Sequence, residues 1–170
     1  MNRIGEGYDI HRLQPGGPLR LGCADVPADV EAIGHSDGDA LAHAVCDALM
    51  GAVGAGDIGQ HFPAGDARWR GADSRVFLAE AVRLAAEAGY ELINIDATIG
   101  LEKPKLAEHR ESIRAALAEA LGCDLDRVSV KAKTGEGLGP VGEGEAVEAR
   151  AVVLLSQQNR GSQRGPRGER

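Results

Sequence analysis

Aromatic side chains are nearly missing from this chain, with one Trp, two Tyr and two Phe among 170 residues. Its core must then be built from Leu, Ile, Val and Ala, and the 24 glycines imply close packing and several tight turns. A chain this lean in large side chains stands to gain by oligomerising. Cysteine is scarce too: Cys23, Cys46 and Cys123 form neither a CxxC pair nor a disulfide framework, and they read as buried, reduced and structural. Basic charge is in deficit. The net charge is −7, and four of the 19 basic residues fall in 156–170, so the rest of the chain is more acidic still. That balance argues against nucleic acid as a partner. No run is long and apolar enough to cross a membrane, and the first residues lack an apolar signal core, so the expectation is a soluble, cytoplasmic protein with no membrane partner. An acidic body that binds a phosphorylated ligand needs cations between the two.

What the chain does carry is concentrated in His35-Ser36-Asp37-Gly38-Asp39-Ala40-Leu41-Ala42-His43, a turn running into a helix. At 100° per residue Leu41, Val45, Ala48, Leu49 and Ala52 form an apolar arc, and Asp39, His43 and Asp47 fall opposite it. Short carboxylates are poor helix formers in mid-helix, so an imidazole between two of them is a costly choice for a merely solvated face. Ser36, Asp37 or Asp39 can cap free N–H groups, and Gly38 lets an anion approach the backbone. Two readings fit: a metal and phosphate site, or a capped amphipathic helix holding one satisfied histidine.

The remaining segments read as one small sheet with helices packed mainly on one face, an α/β chain of the α+β type. Residues 2–8 form a first strand, after which Asp9 and His11, at i and i+2, point to one side and can converge on an ion; a hydrogen-bonded turn is the plainer alternative. Leu19 to Gly22 reads as a hairpin partner of that strand, 25–34 as a loop, and Gly54 to Pro63 as a glycine-rich binding loop. Ser74 caps a helix over 75–88 with Val76, Phe77, Ala81 and Leu84 inward. Ile93, Ile95, Ala97 and Ile99 mark a half-buried strand. Pro104 suits the first turn of a helix that ends before Gly122, with Lys103 and Lys105 at its start hinting at an anionic ligand. Strands follow at 128–132 and 146–155, joined by a glycine-rich loop from Lys133 to Glu145, and the polar tail 156–170 is expected to be disordered and dispensable. The domain expectation is a single catalytic unit over 1–155.

Taken together, Arg3-Ile4-Gly5 with Tyr8-Asp9-Ile10-His11, His35-Ser36-Asp37-Gly38-Asp39 to His43, Gly56-Asp57-Ile58-Gly59 with Phe62-Pro63, and Lys131-Ala132 to Glu136-Gly137-Leu138-Gly139 resemble the 2-C-methyl-D-erythritol 2,4-cyclodiphosphate synthase family over about residues 2–155. The resemblance implies a homotrimeric, metal-dependent lyase of isoprenoid precursor biosynthesis. It would convert 4-diphosphocytidyl-2-C-methyl-D-erythritol 2-phosphate to the cyclic diphosphate and CMP. It places zinc on Asp9, His11 and His43, and magnesium or manganese on Glu136. His35 and Thr134 would flank the transition state, with Ser36 on the phosphates; Asp47, Asp57, Ile58, Gly59, Phe62 and Asp66 would hold the erythritol part. Leu101, Lys105, Leu106, Ala107 and Lys133 would form the cytidine pocket, beside Gly135 and Glu136. Ala64 and Gly65 depart from the family pattern, as do Pro140 and Glu143 near the implied trimer axis. Rival readings of the same residues are a metal-dependent phosphohydrolase and a silent trimeric nucleotide-binding protein.

Overall fold

The first strand, β1 (Asn2–Pro15), alternates between two environments: Gly5 and Gly7 are buried and Asp9, His11 and Leu13 half-buried on one face, while Ile4, Glu6, Tyr8, Ile10 and Arg12 are exposed on the other. This period of two turns Asp9 and His11 toward the helix layer. The computed structural model describes residues 1–158 of the chain.

After β1 come β2 (Leu19–Leu21), β3 (Ala24–Val26) and β4 (Val30–Ala32), then α1 (Ala40–Ala52), the single turn α2 (Ile58–His61) and α3 (Ser74–Glu87). The second half runs β5 (Tyr90–Gly100), α4 (Arg110–Leu121), β6 (Val128–Lys133), the single turn α5 (Gly139–Gly142) and β7 (Ala146–Gln157). Five strands form a mixed sheet in the order β4-β1-β7-β5-β6, antiparallel except for the β5–β6 pair. β7 lies in the middle, paired with β1 over Asn2–Arg12 and with β5 along nearly its whole length.

Helix α1 fixes the site because it lies almost in contact with the β1 backbone. A Cβ built on Gly5 would fall 1.8 Å from the carbonyl oxygen of Ala48, and one on Gly7 would fall 2.0 Å from that of Ala44. Only glycine on the strand and alanine on the helix permit this approach. With α3 packed on its other side, α1 is buried nearly all round. The expected polar face of Asp39, His43 and Asp47 therefore does not exist as a unit. Asp39 is the helix cap, fully buried, and takes N–H bonds from Gly22 at 2.7 Å, Cys23 at 2.6 Å and Ala42 at 2.9 Å.

Several other expectations are corrected. Leu19–Leu21 pairs with β3 in a separate two-stranded sheet, and it is β4, inside the expected loop 25–34, that pairs with β1. Ile93 is exposed because a bulge between Leu92 and Asn94 shifts the alternation, so only Ile95, Ala97 and Ile99 stay inward. Val76 is also exposed; Phe77, Leu78, Ala81 and Ala85 form the inner face of α3. Pro104 lies in a loop and α4 begins only at Arg110, so Lys103 and Lys105 do not sit at a helix start. Ser156 and Gln157 extend β7 rather than belonging to the tail, and residues 159–170 of that tail lie outside the described residues. No described helix is long and apolar enough to cross a membrane.

Candidate active site

Asp9 and His11 leave β1 two residues apart on its inner face, and α1 crosses so that His43 meets them. Asp9 Oδ2 is 2.9 Å from His11 Nε2 and 2.9 Å from His43 Nδ1, and the two histidine nitrogens are 3.2 Å apart. His11 Nδ1 lies 2.9 Å from the carbonyl oxygen of Ile33. A carbonyl can only accept, so Nδ1 carries the proton and Nε2 keeps its lone pair for the cluster. Two nitrogens and one carboxylate oxygen are a catalytic zinc donor set, and ligands at ~2.0–2.1 Å around a tetrahedral ion stand about 3.3 Å from one another. The three atoms are near that spacing already, so the donor set fits such an ion.

Burial would raise the Asp9 carboxyl, but His11 and His43, which bond it whenever their facing nitrogens are protonated, outweigh burial and hold the group well below the usual carboxylate range. For His11, burial lowers the pKa while the Asp9 hydrogen bond and charge lift it by more, leaving it raised. The sign follows from linkage. In the metal-free protein the stabilisation from His11 is fully present below the unfolded histidine value of about 6.5 and is lost as pH rises through the higher folded value. Melting temperatures of chelator-treated protein should thus fall as pH rises above about 6.5 more steeply in the native sequence than in His11→Gln. Parallel profiles would contradict the assignment.

Beside the cluster is a cavity of about 180 Å³ bounded by His11, His35, Ser36, His43, Ile58, Gly59, Phe62 and Ala64, with Trp69 and Phe77 at its back. His35 is held by its Nε2, 3.2 Å from the Asp66 carbonyl oxygen. Asp47, one turn beyond His43, accepts the Ile58 N–H at 2.8 Å, and Asp57 caps α2 through the Gln60 N–H. The glycine-rich stretch is therefore a pinned helical turn that sets Ile58 and Gly59 at the cavity wall. Asp66 is engaged by Arg68, with Nε at 2.9 Å from Oδ2. Trp69 escaped the sequence reading. Its ring meets Phe62 edge-on at 4.9 Å, and Phe62 touches Phe77 at 4.5 Å, so three of the five aromatic residues wall one side of this cavity.

The other expected residues gather elsewhere. Leu101, Lys105, Leu106, Ala107, Lys133 and Thr134 line a second cleft of about 200 Å³. Glu102 ties it together, accepting the Gly135 N–H at 3.1 Å and pairing with Lys105 at 3.5 Å. Thr134 donates its hydroxyl to Glu136 at 2.6 Å, and Glu136 adopts a left-handed φ of 52°. Within one chain the two clusters are not brought together. β1 and β6 stand three strand spacings apart in the sheet, about 14 Å.

A sequence model described as the YgbB family matches residues 2–156. The 2-C-methyl-D-erythritol 2,4-cyclodiphosphate synthase of Rhodopirellula baltica is 57% identical over 156 residues, covering 92% of this chain and 94% of that one. A solved 2C-methyl-D-erythritol-2,4-cyclodiphosphate synthase in a CDP-bound form superposes with a TM-score of 0.83 at 46% identity, covering 91% of this chain and 100% of that one. The bifunctional IspDF of Campylobacter jejuni superposes with a TM-score of 0.88 at 36% identity; the match covers 92% of this chain and 42% of that longer one.

Proposed function

The chain belongs to the YgbB family, and from that premise we propose that it converts 4-diphosphocytidyl-2-C-methyl-D-erythritol 2-phosphate to 2-C-methyl-D-erythritol 2,4-cyclodiphosphate and CMP. The observation that carries this is the convergence of Asp9, His11 and His43 on one point beside a cavity bounded by His35 and Ser36. Those three side chains would hold a zinc ion, and Glu136 a magnesium or manganese ion, a hard cation suited to carboxylate oxygen. Bound metal would supply charge neutralisation to the phosphate oxygens.

The reaction forms a bond between a 2-phosphate oxygen and the β-phosphorus and breaks the bond from that phosphorus to the oxygen bridging it to the CMP phosphate. The nucleophile is already ionised, so no strong base is required, and the protein's part is positioning and charge placement. His35 and Ser36, at the cavity wall, would orient phosphate oxygens, Ile58 and Gly59 would hold the erythritol end, and Thr134 would flank the diphosphate. The cleft between Leu101–Ala107 and Lys133 is suited to the cytidine, read through backbone groups.

The distance between the two clusters is accounted for by a homotrimer in which one subunit's metal cluster faces a neighbour's Lys133–Glu136 segment. In support, the sheet face away from the helices is uncovered and carries apolar side chains among its charged ones, with Ile4 72% exposed and Tyr8, Ile10 and Val152 each more than a third exposed. The deciding experiment supplies the cytidine diphosphate substrate to protein confirmed at trimer mass. CMP with the intact cyclic product is expected. Release of inorganic phosphate in its place would indicate hydrolysis and overturn the assignment.

A further inference from the structure

His43 turns its two nitrogens to different surroundings. Nδ1 faces Asp9 and His11, whereas Nε2 lies 3.1 Å from Ser74 Oγ and 3.1 Å from Ser36 Oγ. Ser74 has no solvent exposure at all. It grips Asp37 with both donors: its N–H lies 2.8 Å from Oδ2 and its hydroxyl 2.5 Å from Oδ1. An ionised carboxylate only accepts, so the single hydroxyl proton of Ser74 is committed to Asp37, and what Ser74 offers His43 is an oxygen lone pair. For Ser74 to bond His43 as well, the proton between them must be carried by Nε2. Asp37 is itself steadied from behind, with Arg20 Nε 3.7 Å from its Oδ2 and the same guanidinium paired to Asp25 at 2.8 Å and Asp73 at 2.9 Å.

The start of α3 does not need this hydroxyl. The cap is Asp73, whose carboxylate accepts the Arg75 N–H at 2.9 Å; Ser74 is already inside the helix. An alanine would serve the helix as well, yet a buried polar side chain stands there, aimed at the imidazole.

We propose that Ser74 is a positioning residue for metal binding. The chain Asp37–Ser74–His43 keeps the imidazole proton on Nε2 and so leaves the Nδ1 lone pair directed at the ion. Neutral imidazole has two tautomers, and the hydrogen bond at one nitrogen decides which lone pair is free at the other. The assignment rests on the zinc reading of Asp9, His11 and His43, and it gives Ser36, at the same distance from Nε2, a supporting part.

The test uses the full chain with zinc alone, in competition with a chromophoric chelator. Ser74→Ala should weaken zinc binding roughly 10–100-fold, the range typical for loss of a group that orients a metal ligand. In ¹⁵N-labelled, zinc-loaded protein the hydrogen-bonded Nε2–H resonance of His43 should shift or vanish in the variant, a change that a purely structural role for Ser74 would not produce. Native zinc affinity and an unmoved His43 resonance in Ser74→Ala, with zinc lost in His43→Ala, would overturn the relay and leave the metal site standing. Equal zinc binding by native protein and His43→Ala would overturn both. If Ser74→Ala does not fold, Asp37→Leu, which offers the Ser74 hydroxyl no acceptor, carries the same test: weakened zinc supports the relay, and native affinity overturns it.

Discussion

Replacing His43 with alanine is expected to abolish metal binding and turnover while the protein remains folded. The side chain supplies one of three converging donors, and the two that remain, Asp9 and His11, come from a single strand and cannot enclose an ion. Charge neutralisation at the phosphates is worth several kcal/mol in such sites, so product formation should fall by at least ~100-fold. The fold should tolerate the change. The substitution empties space next to a cavity rather than inside the main core, and alanine is the best helix former at that position of α1. Metal analysis on the purified variant, beside a thermal melt and the product assay, checks each part. Full zinc occupancy in His43→Ala would remove the ligand assignment.

Substituting Gly7 with alanine should damage the fold and the site together. The new methyl would stand 2.0 Å from the Ala44 carbonyl oxygen, where contact distances are nearer 3.4 Å, and the obstacle is helix backbone rather than a side chain that can rotate. Helix α1 must then lift from β1, at a cost of about 3 kcal/mol or more, toward the top of the range for overpacked cores. For a chain of this length that is a fall of roughly 6–12 °C in melting temperature. Because Gly7 lies two residues from Asp9, and Ala44 is next to His43, the same displacement opens the ligand cluster, and zinc affinity should drop as well. Gly65→Ala is the control, since nothing lies within 4 Å of the added methyl. A Gly7→Ala protein that melts with the native one would mean the close approach of α1 to β1 is not what holds the site.

The outcome explains which parts of this molecule could be read from residues alone. Asp9 and His11 were legible because the period of a strand is a local fact, and His43 because a histidine at that place in an alanine-rich helix is locally out of keeping. Family resemblance added the Leu101–Ala107 and Lys133–Glu136 segments, which no spacing argument would have linked to Asp9, His11 and His43. The misses share one cause. The pairing of β4 with β1, the partner of β2 and the bulge that turns Ile93 outward are long-range or packing events with no periodic trace nearby. Ser74 was legible only as a helix-starting residue, because its contact with His43 spans 31 positions and its contact with Asp37 spans 37. Asp39 is legible as a cap from its place before an apolar helix, but its spacing from His43 and Asp47 suggests a polar face that burial rules out. Its three buried N–H partners come partly from the Gly22–Cys23 turn, which the sequence gives no cause to place there.

The middle position of β7 sets a timetable for the chain's own synthesis. The strand that completes the sheet on both sides is the last of the described elements to emerge, about 130 residues after β1 ends, which at ribosomal rates is a wait on the order of 10 s. Until it arrives, β1 and β5 each hold an unpaired row of backbone donors and acceptors toward the gap, and nascent chains on one message present identical gaps to one another. A β7 from a neighbouring chain fits as well as the chain's own. Fidelity of folding here is a race between intramolecular closure and exchange of that one strand, so crowding of nascent chains should matter more to its yield than the modest size of the protein suggests.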